Sequence, residues 1–471
     1  MRDPNYNFAG KRVLVMGLGR FGGGVDVVRF AHGAGAKVTI TDLASAEQLG
    51  NSISRLEDLE SIEFHLGTHD PADFERADMI VANPAVPDEN EFLQIARRAG
   101  KFITSQMNIF FELCPAPIIG ITGANGKSTT TALTAHLLMN ARYKIRDTKY
   151  ENVWLSGNIG NRPLLMTIDQ ASHDDLVVLE LSSFQLERLG KIQKAPHVAL
   201  LTNLTPNHLD RHGTFANYCT AKENIFKFQE LNEDSPAVSI FNAEDEIAAE
   251  WFERYKNDVG RICVKFSGDD VSEDIRSVSP LPGRANLSNL AAAMAIARHF
   301  GVDDERIKSR LPEFKALPHR LEFVEELDGV RWYNDSIATT PQSTIAALEA
   351  FEQPVIIIVG GYDKNLPFDE LGGKIVERAK AAILIGQTAP KIRSAIHDAR
   401  YAMGGRPEFR VEIVDSLEKA VGLAHNLADP GDVVLLSPAC ASYDMFDNFQ
   451  HRGRKFLNLM RALGTKKPTF R

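Results

Sequence analysis

The chain has only four cysteines in 471 residues, Cys114, Cys219, Cys263 and Cys440, scattered without a CxxC pair. That pattern fits free thiols in a reducing compartment and not a disulfide frame. Long apolar runs are also missing. None reaches the ~18 residues of a membrane-spanning helix, and the opening MRDPNYNFAGKR lacks the apolar stretch of a signal peptide. Basic charge is in deficit: 53 Lys and Arg against 62 Asp and Glu leave a net charge of −9. Nucleic acid is therefore a poor partner, because binding its backbone needs a basic surface. There is no short-period repeat and no low-complexity tract. The expectation is a cytoplasmic, monomeric globular protein with no membrane or nucleic-acid partner, long enough for about three domains.

What is present is α/β alternation. RVLVMG, KVTITD and DMIVANPAV read as strands around the helical GGGVDVVRFAHGAG, which predicts a parallel sheet covered by helices. The joint CPAPIIG (114–120) opens a second unit with strands in PIIGITG, DLVVLELSS and HVALLTNL, ending near the helical run 286–300. LPHR at 317–320 is a second joint, followed by strand signals in VRWYNDS, PVIIIVGG, AAILIG and DVVLLSPA. The predicted fold class is α/β with three domains. They are a Rossmann-like domain over 1–112, a central P-loop-type domain over 113–317, and a C-terminal Rossmann-like domain over 318–471. The tail TKKPTFR reads as frayed.

Two glycine-rich turns invite phosphate. In GLGRFG, Gly17, Gly19 and Gly22 lie between a strand and a helix, and Asp42 ends the next strand. This is the dinucleotide pattern, in which glycines let backbone approach a diphosphate at a helix N-terminus and an acid accepts from a ribose or base edge. It does not say which nucleotide, and a ligandless tight turn has the same sequence. The second turn, TGANGKST, carries more. It departs from GxxxxGK[ST] because Ile121 stands where the first glycine belongs. The physics survives: N–H groups of Gly123, Ala124, Asn125, Gly126, Lys127 and Ser128 can ring a phosphate, Lys127 adds charge, Ser128 can reach Mg²⁺, and Thr129 closes the ATP-binding run. This turn is read as the ATP site.

Three further elements surround it in sequence. Glu180 ends an apolar strand, where a lone carboxylate is costly unless it meets a cation; capping the next helix is the plainer alternative. His208 and Asp210, in TNLTPNHLDRHGT, follow another strand, and near a phosphate loop a metal role outweighs that of a surface histidine. Lys222, in YCTAKENIF, reads from the residues alone as an exposed helix position.

TGANGKST, LELSSFQLE, TNLTPNHLDRHGT with YCTAKENIF, LPHRLEFV, NDSIATTPQST and LLSPACASYDMFDNFQHRG occur in the order found in the Mur ligases of peptidoglycan synthesis, and the chain resembles that family over nearly its whole length. The resemblance implies an ATP-dependent amide ligase that adds glutamate, D-glutamate in its nearest pattern, to UDP-N-acetylmuramoyl-L-alanine through an acyl phosphate. It implies two Mg²⁺ sites, with Ser128 and Glu180 at the first and His208 and a carbamylated Lys222 at the second. Asn286, Asn289, Arg320 and Asp335 then match adenine and ribose contacts, and His319 matches a histidine near the reacting centre. Arg20, Phe21, Asp42 and Asn158 face the UDP-sugar. Thr339, Lys364, Ser442, Tyr443 and Phe449 match the pocket for the incoming amino acid.

Two departures stand out. The family usually reads NDSKATN, whereas Ile337 replaces the lysine here, which leaves Lys364 as the carboxylate partner and the handedness of the glutamate open. The stretch 141–160 is longer and more basic than the pattern, and either touches the sugar diphosphate or is a solvated insertion. A family relative adding L-glutamate or another amino acid, folylpolyglutamate synthetase, an NAD-dependent dehydrogenase and a non-catalytic nucleotide-binding regulator are the competing readings. The dehydrogenase leaves TGANGKST unexplained, and a regulator should lack Lys127, Glu180, His208 and Lys222.

Overall fold

The computed structural model describes residues 4–20, 22–139, 144–145, 148–157, 159, 163–404 and 409–465. Phe21, Asn158 and residues 141–143, 146–147 and 160 of the stretch 141–160 lie outside them, as does the end of the tail. Three sheets follow one another along the chain. The first holds β1 (Arg12–Met16), β2 (Lys37–Asp42), β3 (Glu63–Leu66), β4 (Met79–Ala82) and β5 (Phe102–Thr104), all parallel in the order β3-β2-β1-β4-β5. The apolar runs of β1 and β4 are buried, as expected of central strands covered on both faces.

The second sheet holds β6 (Ile118–Thr122), β9 (Val153–Gly157), β10 (Leu176–Glu180), β11 (Val198–Leu201), β12 (Ala237–Asn242) and β13 (Arg261–Phe266). A separate pair, β7 (Lys144–Ile145) and β8 (Thr148–Lys149), precedes β9. The main order is β13-β12-β11-β6-β10-β9, again all parallel. β10, β6 and β11 are neighbours, so the loops leaving Glu180, Thr122 and Leu201 emerge together at the carboxyl ends of the strands, where open α/β sheets bind ligands.

The third sheet holds β14 (Glu322–Leu327), β15 (Val330–Asn334), β16 (Val355–Val359), β17 (Ala379–Leu384), β18 (Arg410–Ile413) and β19 (Val433–Leu436), in the order β14-β15-β19-β16-β17-β18. Only β14 runs antiparallel to its neighbour. The strands β3, β14 and β18, absent from the sequence reading, are exposed edges without an apolar run.

The chain forms two compact units, Met1–Asp270 with Asn289–Ile307, and Val271–Ser288 with Lys308–Arg471. The first two sheets share one unit and one core, in which Val13, Val25 and Met107 join Leu165, Leu186 and Phe226. Arg188 ties them further, donating to Asp88 at 2.5 Å and to the carbonyl of Val86 at 2.8 Å. The third sheet builds its own core on both faces, around Ile357 and Leu435 on one and Trp332, Ile356 and Phe456 on the other. Among the described residues no helix is long and apolar enough to cross a membrane.

Candidate active site

In the first unit, the turn after β6 is pinned from the loop after β11. The N–H of Ala124 donates to the Asn203 carbonyl at 2.8 Å, and that of Asn125 to Asn203 Oδ1 at 3.0 Å. Thr202 Oγ1 and Asn203 Nδ2 return bonds to the Asn125 carbonyl at 2.6 and 3.1 Å. Two of the N–H groups expected to ring a phosphate are therefore spent on Asn203, which moves the anion-facing role to the first turn of the helix Lys127–Leu138. Glycine is required here: a Cβ on Gly123 would sit 1.9 Å from Thr202 Oγ1, and one on Gly126, at φ 80°, 2.1 Å from Asn289 Oδ1. Asn289 is buried and accepts from Thr130 at 3.3 Å, so it braces the turn. Lys127 folds back, its Nζ donating to the Ala124 carbonyl at 2.8 Å.

Beside this turn, Glu180 is 6% exposed, and its Oε2 is buried with no hydrogen-bond partner. It does not cap the following helix. Ser182 does, in a capping box with Gln185. An unpaired buried carboxylate oxygen at the mouth of a phosphate turn fits a cation. Lys222 overturns the reading of an exposed helix residue, being 2% exposed with Nζ 3.1 Å from Thr122 Oγ1. Burial, then the charge of Lys127, drives its amine well below the usual range, and Glu180 opposes them. His208, in a left-handed conformation (φ 53°), precedes the short helix Leu209–His212 and packs on Phe184 at 5.1 Å. Burial lowers its ring pKa, favouring the neutral form that ligates metal. Asp210 is exposed on that short helix. Among the described residues no three His, Cys, Asp or Glu side chains converge as a metal cluster.

In the first glycine turn, Asp42 turns inward. Its two oxygens accept the N–H groups of Gly19 at 3.0 Å and Ala44 at 2.9 Å. Asn83 Nδ2 holds the Gly17 carbonyl at 3.3 Å, and a Cβ on Gly17 would meet Asn83 Cβ at 2.9 Å. Arg20 is exposed at the tip.

The second unit holds the remaining predicted residues. Asn286 donates to the Pro282 carbonyl at 2.8 Å. Asp335 is buried, accepting from the Leu321 N–H at 3.1 Å and Ser437 Oγ at 2.8 Å, and burial pushes its carboxyl up to about 7. Arg320 is half-buried beside His319, whose backbone is left-handed at φ 66°. The loops expected to receive the amino acid are knit together. Arg452, 1% exposed, donates to the carbonyls of Ser336 (2.8 Å) and Cys440 (3.0 Å), and Tyr362 N–H bonds to the Ala441 carbonyl at 2.9 Å. Thr339, Ser442 and Lys364 lie on these three loops. Ser442 is buried, Thr339 half-buried, and Lys364 exposed with no ion-pair partner among the described residues. Tyr443 is 65% exposed, and Phe449 sets its ring against His319 at 6.1 Å.

Three family models match the chain in order: the MurD-like N-terminal domain of Mur ligases over residues 11–105, the Mur ligase middle domain over 121–297, and the Mur ligase glutamate ligase domain over 319–440. The chain belongs to the Mur ligase family. A relative from Roseiflexus sp. (strain RS-1), named UDP-N-acetylmuramoylalanine–D-glutamate ligase, is 42% identical, covering 96% of this chain and 99% of its own. One of the same name from Clostridium botulinum (strain Kyoto / Type A2) is 38% identical over 96% and 97%. The solved structure of MurF from Acinetobacter baumannii shares the fold at a TM-score of 0.54 and 16% identity, over 98% of this chain and 93% of that one.

Against the Mur ligase pattern, the residues that sequence reasoning missed are the ones that hold others. Thr122, Asn203 and Asn334 lie inside the motifs TGANGKST, TNLTPNHLDRHGT and NDSIATTPQST, and Arg452 inside LLSPACASYDMFDNFQHRG. Their presence in those motifs was the available signal; their partners are set only by the fold.

Proposed function

We propose that the chain joins glutamate, in the D form carried by its relatives' names, to the alanyl carboxylate of UDP-N-acetylmuramoyl-L-alanine at the cost of ATP. In this reading domain 1–112 takes the UDP-sugar, 113–317 the ATP and 318–471 the amino acid. The observation that carries it is a phosphate turn beside a buried, unpaired carboxylate and a buried lysine, on a chain alike from end to end to D-glutamate ligases.

A carboxylate is a poor acyl donor because oxide would have to leave. Transfer of the γ-phosphoryl group to a carboxylate oxygen makes an acyl phosphate. The glutamate amine then attacks the carbonyl carbon, and the C–O bond to phosphate breaks as the amide forms. Anionic oxygens build up in both steps, so oriented donors and charge matter more than a nucleophilic side chain. Lys127 and the first helical turn hold the phosphates, while Asn289 and Asn203 keep that turn in place. Mg²⁺, when bound, supplies charge on the transferring phosphoryl oxygens. Ser128 and Glu180 would hold one ion and His208 with a carbamylated Lys222 another. Lys222 supports that modification because a buried neutral amine can add its lone pair to CO2 and lose a proton. Arg20 and Asp42, with Phe21 and Asn158, take the UDP-sugar, and Lys364, Thr339 and Ser442 face the glutamate carboxylates, with Ile337 adding no charge.

The test is phosphate release and product mass with UDP-N-acetylmuramoyl-L-alanine, ATP and either D- or L-glutamate. Turnover with D-glutamate at least about tenfold above L-glutamate is expected, a difference of about 1.4 kcal/mol. Preference for L-glutamate would reverse the handedness, and turnover with neither would sink the reading.

A further inference from the structure

The ring of His319 sits in a hydrogen-bond network whose directions are fixed. Asn334 Nδ2 lies 2.8 Å from His319 Nδ1 and 3.0 Å from Glu322 Oε2, and Asn334 Oδ1 receives the Ser336 N–H at 3.2 Å. Turning this amide over would set Oδ1 against the Glu322 carboxylate and the NH₂ against the Ser336 N–H, two repulsions in place of two bonds. An amide NH₂ only donates, so Nδ1 must accept, and the proton of the neutral ring is on Nε2.

The ring is also held bodily. The His319 backbone N–H donates to the same Glu322 Oε2 at 2.8 Å. Gly453 also packs against it, where a Cβ would come within 2.2 Å of Nδ1. The His319 side chain is 9% exposed, and Nε2 has no hydrogen-bond partner among the described residues. Burial lowers the ring pKa with help from Arg454, while Glu322 pulls it upward.

We propose that His319 presents a fixed, neutral Nε2–H donor to an anionic oxygen of the bound reactants, and that Asn334 and Glu322 are positioning residues that lock its tautomer. The inference rests on the ligase reading above. It denies His319 the part of general base, because the one lone pair of the ring is given to Asn334. The proton of the attacking amine must go to another acceptor.

Long-range ¹H–¹⁵N spectra of the full-length protein labelled at its 13 histidines test this, with His319→Gln identifying the resonance. The neutral Nε2–H pattern is expected at pH 7.5; an Nδ1–H tautomer or an imidazolium there overturns the proposal. Asn334→Ala removes the lock. Nδ1, 4.0 Å from Glu322 Oε2, can then donate to that carboxylate. The tautomer should switch and kcat fall about tenfold or more, part of the roughly hundredfold or larger loss seen when an oriented donor is removed outright, with glutamate and ATP KM changing less. An Asn334→Ala enzyme with wild-type kcat and tautomer also overturns it. Glu322→Gln keeps an acceptor in place, so the Nε2–H tautomer should survive; loss of the tautomer in that variant contradicts the assignment. The spectra need no turnover, so the expected tautomer in a protein that ligates nothing would count against the ligase reading instead.

Discussion

Lys222 Nζ and Thr122 Oγ1 stand 3.1 Å apart, and the direction of their bond is set by a third group. The Thr122 hydroxyl donates to the Leu181 carbonyl at 2.7 Å, so it accepts from the lysine. The lysine is thus buried against a neutral acceptor, with its amine pushed toward the uncharged form by burial and by Lys127.

An uncharged amine in this position is ready for CO2. Lys222→Ala is expected to be nearly inactive, with partial rescue by short carboxylates that restore the anion. Wild-type protein incubated with ¹³C-bicarbonate should show a carbamate carbon that Lys222→Ala lacks. Full activity of the alanine variant, or identical spectra, would count against the modification.

Lys127→Ala should keep the fold and fall below about a tenth of wild-type phosphate release, because charge on the transferring phosphoryl group is lost. Its circular dichroism and melting temperature should match wild type, since Lys127 is only half-buried. A variant with more activity than that would place ATP elsewhere.

Lys364 is expected to meet a glutamate carboxylate, a task that Ile337 cannot share. Truncating one partner of a charge pair that becomes buried costs about 2–5 kcal/mol. Lys364 is exposed before the substrate arrives, which points to the low end, a rise in glutamate KM of roughly thirtyfold for Lys364→Ala. ATP KM should hardly move. Equal rises in both constants would put Lys364 at the nucleotide.

Asp335 links stability to pH. Burial raises its carboxyl from 3.8 to about 7 in the folded protein. The folded state therefore holds a proton that the unfolded state has lost across that window, and stability falls as pH rises through it. Asp335→Asn removes the titration. Its melting temperature relative to wild type should climb from pH 5 to pH 8, and a constant difference would contradict a raised pKa.

How much of this was legible in the residues varies with burial. Central strands such as β6, β10 and β16 announce themselves because apolar side chains cover both faces, and the turn TGANGKST keeps its glycines because Thr202 and Asn289 leave no room for a Cβ. Edge strands β14 and β18 carry charged residues and no such run. The burial of Lys222 was not readable from YCTAKENIF, since the helix Phe215–Lys227 turns it toward Thr122, 100 positions earlier in the chain. Asn334 was hidden for the same reason: its meaning depends on LPHR returning beside the end of β15. Asp42 read as a ligand contact, yet both its oxygens also tie the turn together.

The central claim is that glutamate is joined through an acyl phosphate. UDP-N-acetylmuramoyl-L-alanine labelled with ¹⁸O in its alanyl carboxylate tests it most directly. The bridging oxygen leaves with phosphate when the amine attacks, so one ¹⁸O should appear in each inorganic phosphate released per amide formed. Amide formation with unlabelled phosphate would contradict the account.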